Sequence, residues 1–449
     1  MTTSLSRALA RVTGASLGPY QTALLRIGLS FTWLCYLLRE WPNRHELYGP
    51  NAPWSWEMAR ELTGDNHAFT ALMWSDSSVW FETVYALAIV FSALLMLGWR
   101  TRTMSVLSML GVLSIQNRSV FIGDGGDNVV HLMALYMVLT RCGQVWSLDA
   151  RCAARRAREG AAGDGGDGGD EGGKRDESGQ RFGAGLWDLT GVVLWVVCGL
   201  GLVLAQFLGD DRMSWTGEGP LPGLSWPVAL WGLWAVQGLW WAVRRHAPGE
   251  PRAVLDALAH LAHNGALLVI MAEVCLIYAT AGWYKVQGTR WQDGTALFYP
   301  MHIDYFSPWP WLSHALAASS LVVLLLSYGT VAVQVAFPFT LLNRRVKNVL
   351  LALMMAEHLG IAVLLGLPFF SLAMIVADAV FLPTSFLRRL EGARRLLPLP
   401  LVHRRPEPVG PCPAPRTPAE EAEEKADGPV DGSADGPAAV PGPGRRTVG

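Results

Sequence analysis

Charge is what this sequence has least of. Only 16% of its 449 residues are Asp, Glu, Lys or Arg, against roughly 25% in soluble domains. A wholly aqueous surface is not built from so few charges. The 36 Lys and Arg residues nearly cancel the 37 Asp and Glu, leaving a net charge of −1. That balance excludes the basic surface a nucleic-acid partner requires. Cysteine is scarce as well: Cys35, Cys142, Cys152, Cys198, Cys275 and Cys412 show no CxxC or paired spacing. Neither a disulfide framework nor a thiolate metal centre organises such a chain, and no metal site is expected. A cleavable leader is not read either, because residues 1–20 are polar and the first apolar run is long enough to stay as an anchor.

What is present is apolar surface. Hydrophobic residues make up 51% of the chain, 20 of its residues are Trp, and mean hydropathy is +0.26. Trp gathers at membrane interfaces, where its ring is buried and its N–H is wet. A bilayer core of about 30 Å takes roughly 20 apolar residues in a helix. Spans are expected near 21–38, 80–99, 103–121, 128–141, 185–208, 225–243, 262–282, 314–340, 348–366 and 368–383. The expected fold is therefore all-α, a polytopic bundle of about ten transmembrane helices in the cell membrane, in contact with lipid.

Orientation follows from the short basic clusters. Arg7 and Arg11, Arg100 and Arg102, Arg151 to Arg158, Arg244 and Arg245, Arg344 to Lys347, and Arg388 and Arg389 alternate with the spans. All fall on one side if both termini are cytoplasmic. The opposite loops, 41–79, 117–127, 209–224 and 283–313, are acidic or aromatic. Residues 1–20 then form an N-terminal segment, 21–150 a first half of about four helices, and 183–385 a second half of about six. Between the halves, 151–182 (with its DGGDGGD run) reads as a disordered cytoplasmic linker. Residues 386–449, rich in Pro, Ala, Glu and Gly, read as a disordered tail.

Polar groups inside spans are expensive and each asks for a reason. Arg26, Asp127, His131, Glu273, Glu357, His358 and Asp378 are such groups, and the bland reading is that they pair across helices. The first outer loop, dense in Pro and Trp, reads as an ordered cap. At QNRSVFIGDGGDNVVH, residues 116–131, the glycines suit a tight turn with exposed backbone N–H groups. Asp127 and His131 share a helical face there, and Arg118 is an obvious counter-ion. Lys285, beside Trp283, Tyr284 and Trp291 at a helix exit, has two readings. It snorkels its ammonium to water, or surrounding aromatics desolvate it into a usable general base.

The stretch YATAGWYKVQGTRWQDGTALFY, from Tyr278 to Tyr299, resembles the Y-x-x-A-G-x-x-K…W-x-x-G pattern of the vitamin K-dependent γ-glutamyl carboxylase family. The likeness is nearer to its bacterial members, which carry the HTTM (horizontally transferred transmembrane) domain. LLRIGLSFTWL near the start, VWSLD at 145–149 and the Glu357–His358 span with LGLPFFSLAMIVAD extend it over roughly 20–385. The resemblance implies that Lys285 is a base for a reduced quinone, vitamin K-type or menaquinone, at a site facing away from the cytoplasm. The quinolate then reacts with oxygen, ahead of oxidation or carboxylation. It also implies a cavity between the 117–131 turn and the 278–311 segment. Trp283, Tyr284 and Trp291 would wall it, and Asp127, Asn128, His131, Glu273 and His358 would supply polar contacts. The family has a histidine where Asn128 aligns, so His131, one turn later, is its substitute. The family's soluble peptide-docking domain has no counterpart in the tail. Two other functions compete with an enzyme: a non-catalytic scaffold or secreted-peptide partner of immunity type, and a transporter.

Overall fold

The computed structural model describes residues 2–164, 177–208, 226–246 and 249–396. Among them every regular element is helical. The chain divides into units at 1–392 and 393–449, and the packing below belongs to the first.

In chain order the helices are α1 (Thr2–Gly14), α2 (Pro19–Glu40), α3 (Arg44–Tyr48), α4 (Trp56–Asp65), α5 (Ser78–Leu97), α6 (Thr101–Gln116) and α7 (Gly125–Met137). After these come α8 (Leu148–Asp164), α9 (Glu177–Leu208), α10 (Trp226–His246), α11 (Glu250–Gln287) and α12 (Thr289–Gln292). The last are α13 (Pro310–Ala317), α14 (Ser320–Ala336), α15 (Arg344–Leu364), α16 (Pro368–Asp378) and α17 (Thr384–Leu396). All ten stretches expected as spans are helical over most of their length. Six described segments are long and apolar enough to cross a membrane: Pro19–Tyr48, Ser78–Leu97, Leu189–Phe207, Glu250–Gln287, Ser320–Thr340 and Arg344–Leu364. A seventh arises only if Pro368–Phe381 and Thr384–Gly392, bent by 106°, count as one broken span. The shortfall from ten is physical. With 16 and 13 residues, α6 and α7 reach only about 24 and 20 Å at 1.5 Å per residue.

The expected linker differs too. Residues 151–164 continue α8 and 177–182 begin α9, while 165–176 lie outside the described residues. The tail beyond Leu396 and the 209–224 loop lie outside them as well.

Capping explains several boundaries. Pro19 opens α2 after the left-handed Gly18, where its missing N–H costs nothing. Gly98, at φ 75°, closes α5, as a residue free of Cβ strain should. The Asp149 carboxylate then accepts hydrogen bonds from the Arg100 and Thr101 amides at 2.9 and 2.8 Å. It thus caps α6 from beyond α7. Arg26 is fully buried and donates to the carbonyls of Leu95, Met96, Cys142 and Trp146. A guanidinium is the right group here, since its fixed fork can satisfy orphan helix-end carbonyls together. The polar residue in this span and the VWSLD segment are therefore two sides of one clasp.

The core gathers around α2, which packs on α5, α7 and α16, while α16 is also flanked by α15. Trp33, Tyr85, Met133, Met374, Tyr278 and Phe337 are buried within it. The outer loop is ordered, as expected. Arg118 donates to the carbonyls of Gly49 and Trp54, and Asn117 to that of Phe69. Arg118 thus holds this cap and not the aspartates of the neighbouring turn.

Candidate functional site

Four helices bring six polar side chains together. The face of α11 is set by Val274, Tyr278 and Gly282, all buried, with Lys285 following three residues later. This i, i+4, i+7 spacing keeps one stripe toward the neighbouring helix. Gly282 has a steric reason: a Cβ there would sit 2.7 Å from the Val335 side chain of α14. The glycine lets α14 come close enough for the Lys285 Nζ to donate to Gln334 Oε1 at 2.7 Å. The Gln334 Nε2 in turn donates to Glu357 Oε1 of α15 at 2.6 Å. An amide can accept from an amine and donate to a carboxylate at once.

Two turns back, the Tyr278 hydroxyl lies 3.0 Å from His358 Nε2 of α15 and 3.0 Å from Asp378 Oδ2 of α16. Tyr278 is 1%, His358 2% and Asp378 0% exposed, so all three are sealed from solvent. Lys285 and Glu357 are half-buried. The Lys285 amine also lies 5.3 Å from the centre of the Trp291 ring, a cation–π distance. The lysine is therefore tethered and shielded, not extended into water.

Several expected members of the site stand elsewhere. Trp283 and Tyr284 are 62% and 72% exposed. Both lie off the buried stripe of α11 that carries Val274, Tyr278 and Gly282. Asp127 pairs with Asp124 in a capping box at the start of α7. His131 meets Gln116 Oε1 at 3.1 Å, Asn128 is exposed, and Glu273 lies toward Tyr136 of α7. None of these contacts involves Lys285. Along the line from Tyr278 to the 117–131 turn, where a cavity was expected, rings are packed. Tyr278 meets His358, whose ring centre is 5.5 Å from that of Phe370. Phe370 rests on Gly125 and Gly126, and a Cβ on Gly126 would lie 2.5 Å from its Cα. Those glycines serve the close entry of α16.

Of the expected residues, the structure joins Lys285, Trp291 and His358. It adds Tyr278, Gln334, Glu357 and Asp378. Gln334 carried a signal that the sequence reading passed over: it is a lone amide near the end of an otherwise apolar helix, and such residues are costly within hydrocarbon. A cavity of about 30 Å³, room for about one water, lies beside Arg26, Ser30, Trp33 and Ser105 and shares no residue with this constellation. Among the described residues no three His, Cys, Asp or Glu side chains gather as a metal ion needs. No family model matches the chain, nor does any curated protein or solved structure.

Proposed function

We propose that the chain is a multi-pass protein of the cell membrane in which Lys285 is the general base for a quinol-type substrate entering from the lipid. The single observation that supports this reading is the position of the amine. It is held 2.7 Å from Gln334 Oε1 and beside the Trp291 ring, away from the water to which a snorkelling lysine reaches. A flat hydroxylated ring fits such a place, since Trp291 offers a π face and Lys285 a proton acceptor. In the productive step the quinol O–H bond breaks and an N–H bond forms on Lys285. Gln334 Oε1 then receives the ammonium, and Glu357 balances its charge. The quinolate supplies the electron-rich species that oxygen attacks, in oxidation or in carboxylation of a secreted peptide.

Ten spans with both termini in the cytoplasm accompany this reading. Its support is that each expected stretch is helical and that the basic clusters fall at alternate ends.

The reading is tested with purified protein in lipid nanodiscs supplied with reduced menaquinone, following quinol oxidation and oxygen uptake. Lys285→Ala should lower the rate by about 100-fold or more, the usual worth of a positioned base. Lys285→Arg should do the same, because a guanidinium stays protonated. Equal rates in wild type and Lys285→Ala would overturn it.

One observation favours a second reading, a non-catalytic partner of a secreted peptide. Tyr305, Trp309 and Trp311 are 80%, 52% and 70% exposed on the segment after α12, an aromatic surface of the kind that anchors interfaces.

A further inference from the structure

The Tyr278 hydroxyl holds a single hydrogen, yet it lies 3.0 Å from both His358 Nε2 and Asp378 Oδ2. With the tyrosine neutral, two arrangements of protons satisfy both contacts. In one, His358 Nε2–H donates to the tyrosine oxygen, and the tyrosine donates to an Asp378 carboxylate. In the other, a protonated Asp378 donates to the tyrosine, and the tyrosine donates to a bare Nε2. The heavy atoms are the same in both. Each end of this row carries one more polar atom, His358 Nδ1 and Asp378 Oδ1. Both are buried and have no hydrogen-bond partner among the described protein groups. Buried polar atoms left without partners are uncommon and call for an explanation.

We propose that His358, Tyr278 and Asp378 form a proton wire whose open ends are His358 Nδ1 and Asp378 Oδ1. This deepens the function proposed above and rests on it for the source of the proton, which is the one taken up by Lys285. A proton arriving at Nδ1 forms an N–H bond there. The Nε2–H bond then breaks as an O–H bond forms on Tyr278. The original tyrosine hydrogen passes to Asp378 Oδ2, which changes from carboxylate to carboxylic acid. One proton enters, one is stored, and no electron moves. The wire lies within electrostatic reach of the base and its partner, Lys285 acting on His358 and Glu357 on Asp378, and Gln334 links Glu357 to Lys285.

The groups facing Asp378 are Tyr278 and Cys275 of α11 and Glu357 and His358 of α15, with Lys285 in electrostatic reach of His358. Among the described residues Asp378 forms no ion pair. Taking up a proton therefore removes a buried charge and breaks no salt bridge. Gln334 conducts nothing, since an amide cannot relay a proton without tautomerising; its part is to fix the amine.

The experiment is time-resolved infrared spectroscopy of the full chain in nanodiscs with isotope-labelled aspartate, following carboxyl exchange after transfer to heavy water. As the wire takes up its proton on acidification, wild type should gain a buried carboxylic-acid band that exchanges and that Asp378→Asn removes. Tyr278→Phe should keep the band but slow its exchange by about 100-fold. His358→Gln retains an amide donor to Tyr278 while deleting the second nitrogen, so it should slow exchange equally, and it serves if the tyrosine variant does not fold. Exchange at the wild-type rate in either folded variant, or no Asp378 band in wild type, overturns the wire. Lys285→Ala should abolish quinol oxidation and slow exchange, since the amine is the group that delivers protons to the wire. Quinol inactivity of the wild type with normal exchange would sink only the proposed function.

Discussion

Gln334 is the residue on which the candidate site turns. Its amide orientation is fixed by its partners, oxygen toward Lys285 and nitrogen toward Glu357. Replacing it with Leu strands an amine and a carboxylate that are both half-buried. Gln334→Leu should therefore lower stability by about 2 kcal/mol, the scale of losing partners for buried polar groups, as read from thermal unfolding in detergent. Combining it with Lys285→Met should cost less than the sum of the two, and strict additivity would show that the bond is not formed. Arg26 is the structural contrast. It touches no member of the site, and its four carbonyl partners belong to helix ends and a loop. Arg26→Met should cost about 3 kcal/mol or more without changing quinol turnover in the protein that stays folded.

Among the elements, α7 and α16 meet through a glycine with backbone, not side chain, against it. A Cβ on Gly126 would press on the Cα of Phe370 at 2.5 Å, and backbone cannot swing aside. Gly126→Ala should cost about 1–3 kcal/mol, as overpacking does. Gly265 on α11 has nothing within 4 Å, so Gly265→Ala should be neutral or stabilising by up to about 1 kcal/mol; one calorimetric series reads both. Helix existence was readable from apolar run length, which is why every expected stretch is helical over most of its length. Helix limits were not. The chain's longest described helix, α11, begins at Glu250, a dozen residues before the expected 262. Its polar early turns are held by partners from other segments: His260 meets Ser16 Oγ at 2.9 Å, and Asp256 pairs with Arg141 at 3.8 Å. Hydropathy does not register such contacts. The 314–340 stretch instead breaks between Ala317 and Ser320 into α13 and α14.

At the scale of the molecule, half of the site was readable. Tyr278, Gly282 and Lys285 share a face by spacing alone, and Trp291 follows within one short turn. Their partners lie 49 residues away for Gln334, 80 for His358 and 100 for Asp378, and only the tertiary fold brings them in. Trp283 and Tyr284 misled for the same reason, since adjacency along a helix places residues on different faces. The proposed orientation is open to labelling. In a cysteine-free background, Asp76→Cys should react with a membrane-impermeant maleimide on intact cells. Leu342→Cys, at a position 99% exposed, should react only after permeabilisation. Reversed reactivity would place the termini outside and Lys285 on the cytoplasmic side.

The cap that Asp149 places on α6 has a consequence for synthesis. Its carboxylate reaches amides 48 and 49 residues earlier in the chain, and Trp146 supplies one of the carbonyls that hold Arg26. A ribosome-bound fragment ending near residue 140 carries a buried cation that still lacks the Cys142 and Trp146 carbonyls and a helix start that Asp149 has not yet capped. Quality-control proteases should therefore degrade nascent chains stalled near residue 140 faster than chains released past Asp149.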